Sequence, residues 1–350
     1  MKGPDSPARS GETTIHSSPD HRWPVRLWAV VIAFAIVTAA WSLHVDVPPR
    51  DPRRTILVNR IAISVGLFAV YAVLDASLRA ARAGRWTPHT AVGVLRARWT
   101  RRRLTLAASA LLAYHLVYFC YRNLKSWNVF NDERDDMLLR WDEWFFLGHS
   151  PAVLSHDLLG EHYAAYVLTV VYVSFTGLVT LSIAAPLVFT ERIRDGYVFI
   201  ASAMWVWVLG TGSYYLIPSL GPFWSRPEEF TGLPRTMIQE SQDKYLAGRD
   251  HLLSDPGAGD AFAQVQAFAS LHVAFTCMLV LMARHYGLRR LSQVLAVYLF
   301  GTILATIYFG WHFVSDDVVG IAIAFLAVLL GRLTIYPHGR SEISETRSPA

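Results

Sequence analysis

The chain has 350 residues, of which 53% are hydrophobic and only 17% charged, and its formal net charge is +5. So apolar a chain of this length excludes an ordinary soluble domain and points to an all-α, polytopic membrane protein. Three of its 32 basic residues are lysines, so 29 are arginines; these cluster beside apolar runs, as membrane loops do, which excludes nucleic acid as a partner.

In chain order, residues 1–26 read as a polar, disordered tail rich in Ser, Pro and Arg. The first apolar run, 27–45, reads as a retained anchor, because its polar leader is long for a signal peptide and "VTAAWS" is a poor cleavage site. A hydrocarbon core needs about 20 apolar residues per helix. Further stretches near that length lie at 56–78, 104–121, 163–188, 197–217, 267–284, 291–309 and 313–334, so about eight transmembrane helices are expected. A second polar tail covers 337–350. Cys120 and Cys277 both fall inside apolar runs and suggest neither a disulfide framework nor a zinc site.

The loop between the second and third spans carries Arg79, Arg82, Arg85, Arg96, Arg98, Arg101, Arg102 and Arg103 and no acid, which predicts a cytoplasmic loop. Alternation then puts both termini in the cytoplasm of a multi-pass cell-membrane protein. Segments 122–162 and 218–266 and the turn at Gly310 and Trp311 fall on the extracytoplasmic face, where a site would be built. Within them, 138–160 alternates aromatics and acids; it either lies along the interface or packs on the bundle as a loop.

Ionisable residues near membrane depth are costly and point to function. His312 and Asp316, four apart in "FGWHFVSDDVVG", would share one face of a helix, whereas Asp317 would point elsewhere, as a cap or toward water. A carboxylate beside an imidazole fixes its tautomer and stabilises its cation, which suits a nucleophile or a base; the alternative is a structural hydrogen bond at a helix end. In "FASLHVAF", His272 opens the sixth span on the same face of the membrane. Ser270 stands where an N-cap serine and the free amides of a first turn would meet an anion.

These two elements, "SLHVA" and "YFGWHFVSDDVVG", together with the proline-containing "YYLIPSLGP" at 214–222, resemble the type 2 phosphatidic acid phosphatase superfamily. Specifically, they resemble its membrane branch similar to inositol phosphorylceramide synthase. The resemblance implies a six-helix catalytic core over 101–336, with the two helices and basic loop of 27–100 as additions. It implies a lipid phosphatase or phosphotransferase that acts on a lipid-linked phosphate at the extracytoplasmic face through a phosphohistidine. His312 would be the nucleophile, Asp316 its orienter and His272 the general acid and later base, with Ser270 on a phosphate oxygen. No metal and no cofactor is called for, since positioned donors stabilise the equatorial oxygens. Water or an alcohol, such as a polyol or a sugar, would be the acceptor.

The sequence departs from the wider family at two places. Arg226-Pro227 matches the end of a Lys-x6-Arg-Pro motif, but Ser219 stands where the lysine would be. Thr306 stands six residues before His312, where the family has an arginine. Arg122 and Lys125 in "YRNLKSW" are the best candidates to supply that charge, with interfacial snorkelling as their alternative reading, and Arg226 is a weaker candidate. From a different functional class, His272, His312 and Asp316 could form the proton relay of a transporter. An inverted repeat would favour that, and none is visible. Haem or metal ligation by facing histidines is the third reading; it is weakened because Asp316 is better placed to orient His312 than to ligate beside it.

Overall fold

The computed structural model describes residues 22–84 and 86–337; most of both expected polar tails, and Arg85, lie outside these. Among the described residues every regular element is helical. Helix α1 (Trp23–Val45) starts inside the expected tail, with a proline in its first turn, where a missing N–H costs nothing. It is followed by α2 (Val58–Arg82), the short α3 (Pro88–Arg98) and α4 (Arg101–Trp127). Two short helices, α5 (Asp135–Phe145) and α6 (Pro151–Leu159), lead to the antiparallel pair α7 (Tyr163–Phe189) and α8 (Ile193–Leu216). The next connection holds a single turn, α9 (Pro222–Ser225), and α10 (Met237–Ser254). The chain closes with α11 (Leu271–His285), α12 (Arg289–Tyr308) and α13 (Val314–Ile335).

All eight expected spans are present as helices, so the chain is an all-α, multi-pass membrane protein. Seven of the helices are long and apolar enough to cross a membrane; α11 is apolar but only 15 residues long. It is shorter than the apolar run that predicted it because Ser270 caps its start, accepting from the Val273 amide (3.4 Å). Helix α8 is the most buried of the long helices and packs against α4, α13 and α11. Helix α1 packs on α4 and α13, and α2 on α7. At the end of the bundle away from the histidines, Arg79 and Arg98 pair with Asp75 and Glu191, so the basic loop borrows its counter-charges from α2 and from the α7–α8 turn.

Helices α5 and α6 account for most of the 138–160 segment, and both pack on the bundle, α5 against α9 and α13 and α6 against α12. The apolar surface of α5 includes the exposed Trp144 and Phe145, but two of its acids face inward. The Asp135 carboxylate accepts from the Leu220 and Gly221 amides (3.0 and 2.7 Å). On the same face, two turns further along, Asp142 accepts from the Val314 and Ser315 amides at the start of α13 (2.7 and 3.2 Å). These four amides belong to chain ends that no helix partner satisfies, so α5 fastens the 218–221 loop and the α13 N-terminus into one unit. Burial pushes Asp135 up to about 6 and raises Asp142 as well.

Candidate active site

His312 does not lie on a helix with Asp316, as the i, i+4 spacing suggested. It sits in the turn before α13, and its Nδ1 approaches Asp316 Oδ2 at 3.4 Å from outside the helix. The same oxygen accepts from the Phe313 amide at 3.0 Å, so Asp316 holds both the ring and the turn that carries it. The geometry leaves Nε2 on the opposite edge of an imidazole that lines a cavity of about 470 Å³. Burial, with His272 and Lys125 beside it, holds His312 well below the usual imidazole range. The ring is therefore neutral at physiological pH, as a nucleophile requires.

Asp317 is the second correction. It is buried rather than facing water, and it accepts a 3.0 Å hydrogen bond from the Thr306 hydroxyl. A residue just inside a helix N-terminus faces the neighbouring helix when that helix is close, and α12 ends immediately before this turn.

His272 projects from the first turn of α11 between the rings of Tyr172 and Phe175, each 4.5 Å away between centroids, and its own ring centre is 5.8 Å from that of His312. Backbone contacts fix this juxtaposition. The Ser270 amide donates to the Asp316 carbonyl (3.1 Å), and α13 approaches so closely that a Cβ on Gly320 would stand 2.5 Å from the Ser270 carbonyl oxygen. Gly320, the glycine four residues after Asp316, is what lets the two histidine-bearing segments touch. Ser270 itself is fully buried and is not part of the cavity wall; its hydroxyl caps α11.

The proline-containing loop presses on the same turn. Gly221 adopts φ +109°, and a Cβ there would meet the Trp311 and Gly310 carbonyls at 2.7 and 2.9 Å. The Phe223 amide donates to the Gly310 carbonyl at 2.9 Å. Ser219 uses both of its oxygens on the strand-like run into α11, accepting from Ala267 through its carbonyl and from Phe268 through its hydroxyl (2.8 and 3.0 Å). A lysine could not take that place without displacing the run. Tyr214 lines the cavity, whereas Tyr215 donates to the Leu124 carbonyl and is structural.

The positive charge comes from elsewhere. Arg122 and Lys125 line the cavity, and both lie on the last turns of α4, which runs six residues beyond the expected span. Arg122 donates to Tyr118 Oη (3.2 Å) and to Gln264 Oε1 (2.7 Å). Lys125 stands over the Tyr214 ring and is close enough to act electrostatically on both histidines. Neither has an ion-pair partner among the described residues, and no Asp or Glu lines the cavity. Arg226 lies outside it, half exposed and paired with Glu143 at 3.3 Å. Sequence reasoning missed Arg60, Tyr118 and Gln264, which also line the cavity. The regular spacing of Tyr118, Arg122 and Lys125 down one helix face was the available signal for Tyr118, whereas nothing local distinguished Arg60 or Gln264.

A buried, acid-free cavity lined by cations, with two imidazoles on one wall, is suited to a phosphoryl group. No curated protein and no solved structure matches the chain. A family profile described as the PAP2 superfamily matches residues 136–330, a stretch that contains His272, His312 and Asp316. That match covers more than half of the chain and implies phosphatase or phosphotransferase chemistry on a lipid phosphate. The chain belongs to the PAP2 superfamily.

Proposed function

We propose that the protein is a lipid phosphatase or phosphotransferase of the branch similar to inositol phosphorylceramide synthase. It works at the extracytoplasmic face, with both termini in the cytoplasm. The observation that carries this reading is the pair of imidazoles, 5.8 Å apart, on the wall of a cavity lined by cations and no acid. His312 Nε2 attacks phosphorus while the bond from phosphorus to the leaving oxygen breaks, and His272 gives that oxygen its proton. Asp316 accepts from Nδ1–H and steadies the positive charge that the ring acquires. In the second half, water or an alcohol attacks the phosphohistidine, His272 takes the acceptor's proton, and the P–N bond breaks.

Lys125 and Arg122 stabilise the equatorial oxygens in place of the family's lysine and arginine, so the mechanism asks for no metal. Ser270 serves as the cap that aims His272, not as a contact to phosphate. The 27–100 segment remains an addition to a catalytic core over 101–336.

The test is incubation of purified protein with a panel of labelled lipid phosphates, followed by a search for an acid-labile phosphoprotein. His312→Ala is expected to abolish both turnover and the adduct. Turnover that survives this substitution would overturn the mechanism. Product analysis with and without inositol, glycerol or sugars separates hydrolase from transferase, and a cysteine label near Arg96 that reacts from outside would invert the orientation.

A further inference from the structure

Three cations line the cavity, and they do not surround one point. Tyr118, Arg122 and Lys125 follow one another at i, i+4 and i+7 on α4, which places Tyr118 and Lys125 about 10 Å apart along the helix axis. Lys125 is at the histidine end. At the other end the Arg60 guanidinium lies 4.5 Å from the centre of the Tyr118 ring, whose hydroxyl accepts from Arg122. Arg60 is half-buried in the first turn of α2, donates to no protein oxygen among the described residues, and faces a wall without carboxylates.

A guanidinium carries five N–H donors in a planar fork, and a face-on tyrosine ring satisfies none of them. Arg60, with Thr55 and Thr176, also lines a second recess of about 290 Å³ between α2, α4 and α7, where Ser64 and His115 are bonded to each other (3.1 Å). Room therefore extends past Arg60, away from the reacting histidine. The segment that leads into α2 is tied to α4: the Arg50 amide donates to Asn123 Oδ1 (2.7 Å), and the Asn123 side-chain amide donates to the Arg50 carbonyl (3.2 Å).

We propose that Arg60 is a specificity-determining residue that binds a second anionic group, a phosphate or a carboxylate, on the part of the substrate that is not transferred. A single phosphoryl group held beside His312 and Lys125 leaves the far end of the cavity positively charged and unoccupied by any counter-charge. A substrate with a second anionic group further along its polar part fills that end, and the bidentate geometry of guanidinium with either oxyanion makes the contact selective. The helices that look like an addition thereby select the substrate. This rests on the function proposed above.

The experiment compares Arg60→Gln with the unaltered full chain on four chain-matched lipids. These are a monophosphate, a diphosphate, a phosphodiester with a carboxylate headgroup and a phosphodiester with a neutral polyol headgroup. The expected result is a fall in kcat/KM of about tenfold or more, mainly through KM, for the diphosphate or the carboxylate lipid or both, with the other two changed less than about twofold. Which of the two responds identifies the source of the anion, and Arg60→Lys should recover part of the loss. Equal losses on all four lipids, or no loss on any, would overturn the proposal.

A second arm does not depend on turnover. In the His312→Ala protein, inorganic pyrophosphate is expected to raise the unfolding temperature more than orthophosphate does, and adding Arg60→Gln should erase that difference. If the two anions act alike before Arg60 is changed, the proposal fails. If the unaltered chain turns over none of the four lipids while this difference is present, the proposed function fails and the anion site stands.

Discussion

The Thr306 hydroxyl donates to Asp317 Oδ2 at 3.0 Å, and both residues are buried where the end of α12 meets the start of α13. The position that carries an arginine in the wider family is thus occupied by a neutral donor already committed to a neighbouring carboxylate. Thr306→Val keeps the shape and leaves a buried carboxylate oxygen without its donor, which is expected to cost about 1–3 kcal/mol. Thermal unfolding in detergent measures it. The double substitution Thr306→Val with Asp317→Leu should cost less than the sum of the two singles, because both halves of the bond go together.

Asp142 reaches the proposed nucleophile at one remove, through the Val314 and Ser315 amides that start α13 two residues after His312. Asp142→Ala is expected to lower kcat by about tenfold with KM little changed, since the turn loses its anchor while the cations keep theirs. Asp142→Asn, which retains one accepting oxygen, should recover much of that loss. A change confined to KM would assign Asp142 a different role.

Stability should depend on pH through Asp135. Its folded value, pushed up by burial to about 6, lies above the ordinary 3.8, so the folded state binds the proton more tightly than the unfolded chain. The stabilisation is fully present below about 3.8 and is lost as pH rises through about 6, by at most about 3 kcal/mol. Asp142, also raised, adds a contribution of the same sign. Denaturation curves of the unaltered chain should therefore shift toward lower stability between about pH 4 and pH 6.5, and Asp135→Asn should flatten much of that slope.

Lys125 is expected to matter most for the chemical step, because it is the cation that acts electrostatically on both imidazoles. Lys125→Gln should reduce kcat by about 100-fold, the usual scale for removing one preorganised donor to a developing oxyanion. Arg226→Gln, by contrast, removes a half-exposed ion pair outside the cavity and should change kcat/KM less than about twofold. Steady-state kinetics on the best lipid substrate compares the two, and equal effects would contradict this division of labour.

The spans were legible because apolar length is a property of the local sequence, and the motif around His312 was legible because its residues are neighbours in the chain. What could not be read was everything decided by contacts across the bundle. The spacing of His312 and Asp316 suggested a helix, yet the turn ends only at Val314 and the contact is made from outside it. Asp317 looked surplus because nothing local shows that Thr306 waits on the preceding helix. Arg60 is separated from Lys125 by 65 positions and reads as an ordinary basic residue at the end of a span; only the packing of α2 brings it to Tyr118.

The stretch that matches the superfamily, 136–330, begins after α4 has ended. It contains both histidines and Asp316, but Arg60, Arg122 and Lys125 all precede it. The proposed reacting groups and the cavity's cations are therefore written in separate parts of the chain, and a fragment trimmed to the recognisable family boundaries would lose α4 and with it both Arg122 and Lys125. Grafting residues 50–127 onto a related core would accordingly carry Arg60, Arg122 and Lys125 together, so that substrate choice and the charge beside the histidines move as one unit.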